Sequence, residues 1–214
     1  MWKSMRVLAL FCFASSTAGE PYIENLNSYI DETLDDLNEY FTQEGQGQIT
    51  INSTSLYDLE LNEGSIIGWN SFKRTKFCSS STFDNGSFIL DFHYGLKLAV
   101  VTFNKVIHQG NVSTLTLISE INSFHKRVFI DPQSCQIDIP VYGIELLHST
   151  IHQFPREADF LIVSLIEGIN EKLEPFKLEL QQSLYDVCRN ATPPSELQAP
   201  FMNAIFGYVS QLIN

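Results

Sequence analysis

The stretch FILDFHYGLKLAVVTFN, Phe88 to Asn104, decides what kind of fold this chain can adopt. Phe88, Leu90, Phe92, Tyr94, Leu96, Leu98 and Val100 all share one parity. Alternation with period two is the signature of a strand with one buried face. The run outlasts the ordinary strand of about five or six residues. It also contains Gly95, so the reading is one long strand that bends at that glycine.

The same period governs the chain from Ile49 to about Val141. The runs ITINS, LYDLEL, SIIGWNSFKR, SFILDFHY, LKLAVVTF, VSTLTLISEI, KRVFI and CQIDIPV are strand-like. Turn signals stand between most of them: NEG at 62–64, DNG at 84–86, QGN at 109–111 and DPQS at 131–134. All the gaps are too short for a helical crossover, so the expectation is an antiparallel meander.

On both sides the period changes to that of a helix. In YIENLNSYIDETLDDLNEYF, residues Ile23, Leu26, Ile30, Leu34, Leu37 and Phe41 form a stripe backed by acidic residues. After Pro155 a second stripe runs through Ile162, Leu165, Ile166, Ile169, Leu173, Phe176, Leu180, Leu184 and Val187, with a kink expected at Pro175. Leu197, Phe201, Ile205, Tyr208, Val209 and Leu212 mark a C-terminal helix. The fold class is α+β: a long curved antiparallel sheet around a long kinked helix, with helices at both ends.

Residues 1–19 read as a secretory signal peptide: Lys3 and Arg6, then the apolar VLALFCFA, then small residues. Residues 20–214 then form a single domain. No later run reaches the ~20 apolar residues of a membrane helix, so a secreted, extracellular protein with no stable membrane anchor is expected. Four Asn-x-Ser/Thr sequons, at Asn52, Asn85, Asn111 and Asn190, suit glycosylation on that route. Beyond the leader, Cys78, Cys135 and Cys188 remain, so one pair and one free thiol are expected. Cys135–Cys188 would tie a strand to a helix end; Cys78–Cys135 is the alternative.

The formal charge of −12 argues against nucleic acid as a partner. The few basic residues gather at Lys73, Arg74 and Lys76 and at Lys126 and Arg127. The plain reading is solvated strand ends; the sharper one is a grip for an anionic head group. Enzyme chemistry finds no footing. His148 and His152, with Glu145 nearby, have a helical metal spacing in a stretch flanked by strand and Pro155, so no metal is expected. No nucleophile motif accompanies His93, His108 or His125, and no phosphate loop surrounds Gly45 and Gly47, so no cofactor is expected either.

What the chain offers is apolar length. A slot between the sheet and the helices, lined by Leu90, Phe92, Leu98, Val100, Ile139, Ile166, Ile169 and Leu173, would suit a lipid-like molecule. LYDLELNEGSIIGWNSFKR resembles the early strand pair of secreted arthropod lipid-binding proteins, and the order of elements resembles the group-seven mite allergens. These belong to the tubular lipid-binding (TULIP) superfamily, together with the takeout, juvenile-hormone-binding and bactericidal/permeability-increasing families. The Cys135…Cys188 spacing is similar to the strand-to-helix disulfide of the last of these. The N-terminal cysteine pair of the takeout and juvenile-hormone branch is missing here.

The resemblance implies one tubular unit and non-covalent carriage or sensing of a hydrophobic ligand. In it Gly68 permits a bend or close backbone contact, and Trp69 fills space against the long helix. The alternative is a secreted glycoprotein with a filled core that binds a protein or a microbial surface.

Overall fold

The computed structural model describes residues 20–56, 59–152 and 159–190, together with Phe201, Ala204 and Ile205. The signal-peptide residues 1–19 and Leu197, Tyr208, Val209 and Leu212 of the C-terminal stripe lie outside them. Among the described residues lie two continuous helices and ten strands, and Phe201, Ala204 and Ile205 are helical too. The helices are α1 (Asn27–Gln43) and α2 (Asp159–Asn190). The strands are β1 (Tyr22–Asn25), β2 (Gln48–Ile51), β3 (Thr54–Leu56), β4 (Leu59–Ile67), β5 (Phe72–Arg74), β6 (Ser79–Thr82), β7 (Phe88–Leu96), β8 (Ala99–His108), β9 (Asn111–Asp131) and β10 (Gln136–His152).

The long strand expected at 88–104 is nearly what forms. β7 and β8 lie end to end along the same side of β9, from Phe88 opposite Ile130 to Tyr94 opposite Phe124, then from Ala99 opposite Ser119 to Phe103 opposite Leu115. The register carries on unchanged across the gap between them. The interruption falls at Lys97 and Leu98 rather than at Gly95. There the Lys97 N–H leaves the ladder to donate to Ser71 O. Leu98 O comes so close to Gly68 that a Cβ at position 68 would stand 2.0 Å from it. Gly68 also has φ of +95°, so it supplies both the bend and the close contact expected of it.

The interruption changes which side chains face inward. Leu90, Phe92, Tyr94 and Leu96 are buried before it; Ala99 and Phe103 are buried after it. The shared parity of Leu98 and Val100 with Phe92 therefore ends at the break. The side chain of Asn122 on β9 repairs the ladder, accepting from Leu96 N–H at 2.7 Å and donating to Leu96 O at 3.0 Å.

The sheet is antiparallel throughout, but it is not a simple meander. Its order is β1-β6-β7-β9-β8-β4-β2, with β10 on the free side of β9, β3 on β4 and β5 on β7. β9 and β10 are long enough to serve two half-sheets, one built on β7 and one on β8. β4 runs straight through the expected NEG turn, with Glu63 held at φ 54° inside the strand. The turns at 84–86, 109–110 and 131–134 form as read.

The first helical stripe begins later than its periodicity suggested. Tyr22–Asn25 pairs with β6 as a strand, and Ile23 is exposed. Asn25 Oδ1 accepts from Asn27 N–H and ends the strand with an Asx turn. α1 then buries Ile30, Leu34 and Phe41. Trp69 packs edge-on against Phe72 at 5.3 Å, and Phe72 packs on Phe41, so the aromatic neighbours of Trp69 belong to the α1 side rather than to the long helix.

The buried residues form two groups. The larger joins Ile30, Leu34 and Phe41 of α1 to Leu90 and Phe92 of β7, Ile139 of β10, and Leu180 and Leu184 of α2. Phe201 and Ile205 of the C-terminal stripe belong to it too. The smaller joins Leu59, Leu61, Phe103, Val106, Leu115 and Leu117 to Leu165, near the other end of α2. Cys135 and Cys188 form the disulfide, and Cys78 is free and buried.

Candidate functional site

Four fastenings set α2 against β10. Leu165 packs in the group that Ile151 joins, Asn170 meets Ile144, Gln181 donates to Ile137 O, and Cys188 is bonded to Cys135. The helix therefore runs antiparallel to the strand. Asn170 Oδ1 accepts from Ile144 N–H at 2.7 Å and Asn170 Nδ2 donates to Ile144 O at 3.1 Å. This approach needs Gly143, because a Cβ there would lie 2.5 Å from Asn170 Oδ1. α2 also touches β3, five strands across the order β10-β9-β8-β4-β3.

Between its two buried ends α2 changes character. Ile166, Ile169, Leu173 and Phe176 are only half-buried, although they continue the stripe of Leu165, Leu180 and Leu184. Tyr142 falls between Ile137 and Ile144, so it lies level with the α2 turns that carry Leu173 and Phe176. Phe124, Tyr142 and Ile144 on the sheet are half-buried too. This waist between the two packed groups is the candidate site.

At the waist stands Lys126, opposite Phe92 on one neighbouring strand and Tyr142 on the other. Its side chain is 1% exposed. Its ammonium lies 5.2 Å from the Tyr142 ring centre and 5.9 Å from that of Tyr94. Among the described residues no carboxylate comes within ion-pair distance of it. Burial pulls the Lys126 ammonium down to about 7. Burial likewise raises Tyr94 well above its ordinary value and Tyr142 to about 12. An uncompensated buried cation costs several kcal/mol, of which two ring contacts return about 1–2 kcal/mol each.

The solvated strand end expected at Lys126 is thus a buried ammonium. The other residues of the two basic clusters are also engaged. Arg74 makes a two-pronged contact with Asp31, Lys76 reaches Glu145 at 2.9 Å, Arg127 holds Asp91, and Lys73 donates to Glu120 O. A signal for Lys126 was present in HKRVFI, where it shares parity with Val128 and Ile130, both fully buried.

Of the slot residues read from sequence, Leu90, Phe92 and Ile139 have no exposure and sit within the larger packed group. Ile166, Ile169 and Leu173 line the waist side of α2. Val100 is half-buried between Ile67 and Ile118. Leu98, at the strand break, is 42% exposed. Two surface crevices, about 560 Å³ and 380 Å³, lie elsewhere. The first is bounded by Glu179, Gln182, Asp186 and Val187 of α2 and is the more apolar of the two; the second is bounded by the polar side chains of Ser53, Ser55, Glu60, Asn62 and Lys172.

The histidines sort differently from the sequence spacing. His148 and His152 are exposed on β10, where a four-residue step separates them by about 13 Å, too far to share an ion. His93 and His125 instead stack at 4.1 Å on the outer face. Asp91 accepts from His125 Nε2 at 2.7 Å, and Glu145 meets His93 Nδ1 at 3.0 Å. Burial pushes the Glu145 carboxyl up, but hydrogen bonds from Lys76, Ser123 and His93 outweigh it and hold it at about 2.

Asp91, His93 and His125 bring ligand atoms within 4.8 Å of one another. The rings lie 20° from parallel, so their in-plane lone pairs do not converge on one point, and Asp91 is already held by Arg127. The arrangement is an ionic and hydrogen-bonded clasp across β7, β9 and β10. The chain matches no protein-family model and no curated protein.

Proposed function

We propose that this is a secreted, non-enzymatic carrier or sensor of a hydrophobic, lipid-like ligand held in an apolar slot between sheet and helices. The observation that carries the reading is the waist: an apolar helix stripe that is buried at both ends and half-buried in the middle, facing half-buried Phe124, Tyr142 and Ile144. A packed domain of this size ordinarily closes such a stripe against its sheet. The contacts of α2 with both β10 and β3 support a sheet that curls round the helix as a tubular lipid-binding unit does. Exposed Asn52, Asn85, Asn111 and Asn190, together with the disulfide, support passage through an oxidising, glycosylating route.

Organic extraction of the purified secreted protein, followed by mass spectrometry, tests the reading. A stoichiometric lipid, or saturable displacement of a fluorescent fatty-acid probe, is the expected result. Neither lipid nor probe binding would end it. The second reading is a filled glycoprotein that binds a protein or a microbial surface, and the complete burial of Leu90, Phe92 and Ile139 favours it. It predicts an empty extract and no probe binding.

A further inference from the structure

Resting on the carrier reading, we infer that Lys126, caged by Tyr94 and Tyr142, is the anchor for an anionic head group. The guest would then be an acidic amphiphile, a fatty carboxylate or an alkyl phosphate, with its tail along Ile169 and Leu173.

The argument starts from what the chain could have done and did not. It has 25 acidic residues against 13 basic ones, so a counter-charge was never scarce. Arg74, Lys76 and Arg127 each have one, on the outer face or at the strand edge. Among the described residues the most deeply buried cation has no carboxylate at ion-pair distance, only two ring faces, and the nearby Glu179 of α2 acts on Tyr142 rather than pairing with it. Rings stabilise an ammonium without neutralising it, so its charge is still there for an anion to pair with.

Lys126 also stands where the helix stripe is half-buried, opposite Tyr142 and so level with Leu173 and Phe176. A negative head there would complete an ion pair in a medium of low dielectric, where pairing is strong. The apolar side chains on either side would take the tail. Near neutral pH the free ammonium is only partly charged, and an adjacent anion would restore its full charge.

The test uses the whole secreted protein, stripped of lipid. Binding of cis-parinaric acid is compared with binding of its methyl ester and of hexadecyl phosphate, for wild type, Lys126→Met and Lys126→Arg. Thermal melts of each variant confirm folding. Wild type is expected to prefer the acid over the ester by at least ~30-fold, as a desolvated ion pair allows. Lys126→Met should bring that ratio to within ~3-fold of one while ester binding stays, and Lys126→Arg should keep most of it. Stronger binding of the phosphate than of the acid would support the site and name the head group.

Equal binding of acid and ester by wild type, or an unchanged preference in Lys126→Met, overturns the anchor and leaves the carrier reading standing. Binding of neither probe overturns both. Should Lys126→Met not fold, wild type carrying ¹³Cε-labelled lysine decides. The acid, and not the ester, must move the resonance of the lysine that titrates abnormally low; equal shifts, or none, sink the inference.

Discussion

Helix α1 reaches β5 through Asn38, and helix α2 reaches β10 through Asn170. Asn38 accepts from Phe72 N–H at 2.6 Å and donates to Phe72 O at 2.9 Å, just as Asn170 treats Ile144. In each case one carboxamide stands in for a neighbouring strand and satisfies an edge residue that would otherwise present bare backbone to water. The two helices differ in what surrounds the fastening. Around Asn38, residues Leu34 and Phe41 are buried against Phe72. Around Asn170, residues Ile166, Ile169 and Leu173 are half open. The same device thus sits among buried apolar side chains at one helix and, at the other, at a close backbone approach flanked by half-buried ones. It fixes the position of α2 through polar bonds without requiring the apolar stripe between them to close.

The contrast can be broken in several ways. The largest effect is expected at Lys126, on the open side. The folded ammonium titrates near 7 and the unfolded one near 10.5, so between these values the unfolded chain binds the extra proton and wild-type stability climbs with pH. Lys126→Met should therefore be more stable than wild type by about 5 kcal/mol below pH 7, with the gain fading towards pH 10.5. Denaturant melts across that range measure it, and a pH-independent difference would contradict a buried, unpaired charge.

Next comes the closed side. Phe41→Ala should cost about 4 kcal/mol, whereas Leu173→Ala should cost about 1 kcal/mol or less because little packing surrounds it. Equal losses would mean that the waist is as full as the core. Cys188→Ser opens the link that spans 53 residues and should cost about 3 kcal/mol in urea melts, with α2 amides exchanging before those of α1.

The smallest pair sharpens the comparison most. Asn38→Ala and Asn170→Ala should each cost about 2 kcal/mol, two hydrogen bonds apiece. Amide exchange should speed up locally at Phe72 in the first and at Ile144 in the second. If Asn170→Ala left Ile144 protected, the carboxamide would not be what satisfies that strand edge.

Much of this architecture could be read in the chain because it is local. The stripe of α2 and the alternation of Phe88 to Leu96 are patterns of single elements, and hydrophobic periodicity reports those directly. The stitching could not be read. Nothing local to Asn38, Asn122 or Asn170 says that its amide will meet a backbone 34 residues away in the first case, or 26 in the other two. The change of face at Lys97 and Leu98 falls where Gly68, just past the end of β4, comes up against Leu98 O, a contact no window of sequence contains. Tyr22–Asn25 fits the helical stripe by spacing and becomes a strand because β6 is there to pair with. Lys126 was half legible: its parity said inward, while its chemistry and its neighbour Arg127 said outward.

The covering of β10 by α2 has a consequence for how the protein is produced and handled. β10 is seventeen residues long and, among the described residues, pairs with β9 alone, so its other flank is met by a helix rather than by a partner strand. Reduction of the single covalent tie lets that shield lift from one end and uncovers a template for strand exchange between molecules. Protein made in a reducing cytosol should thus polymerise with concentration and seed further growth, while oxidised protein of identical sequence stays dispersed. Light scattering with and without reductant would register the divergence.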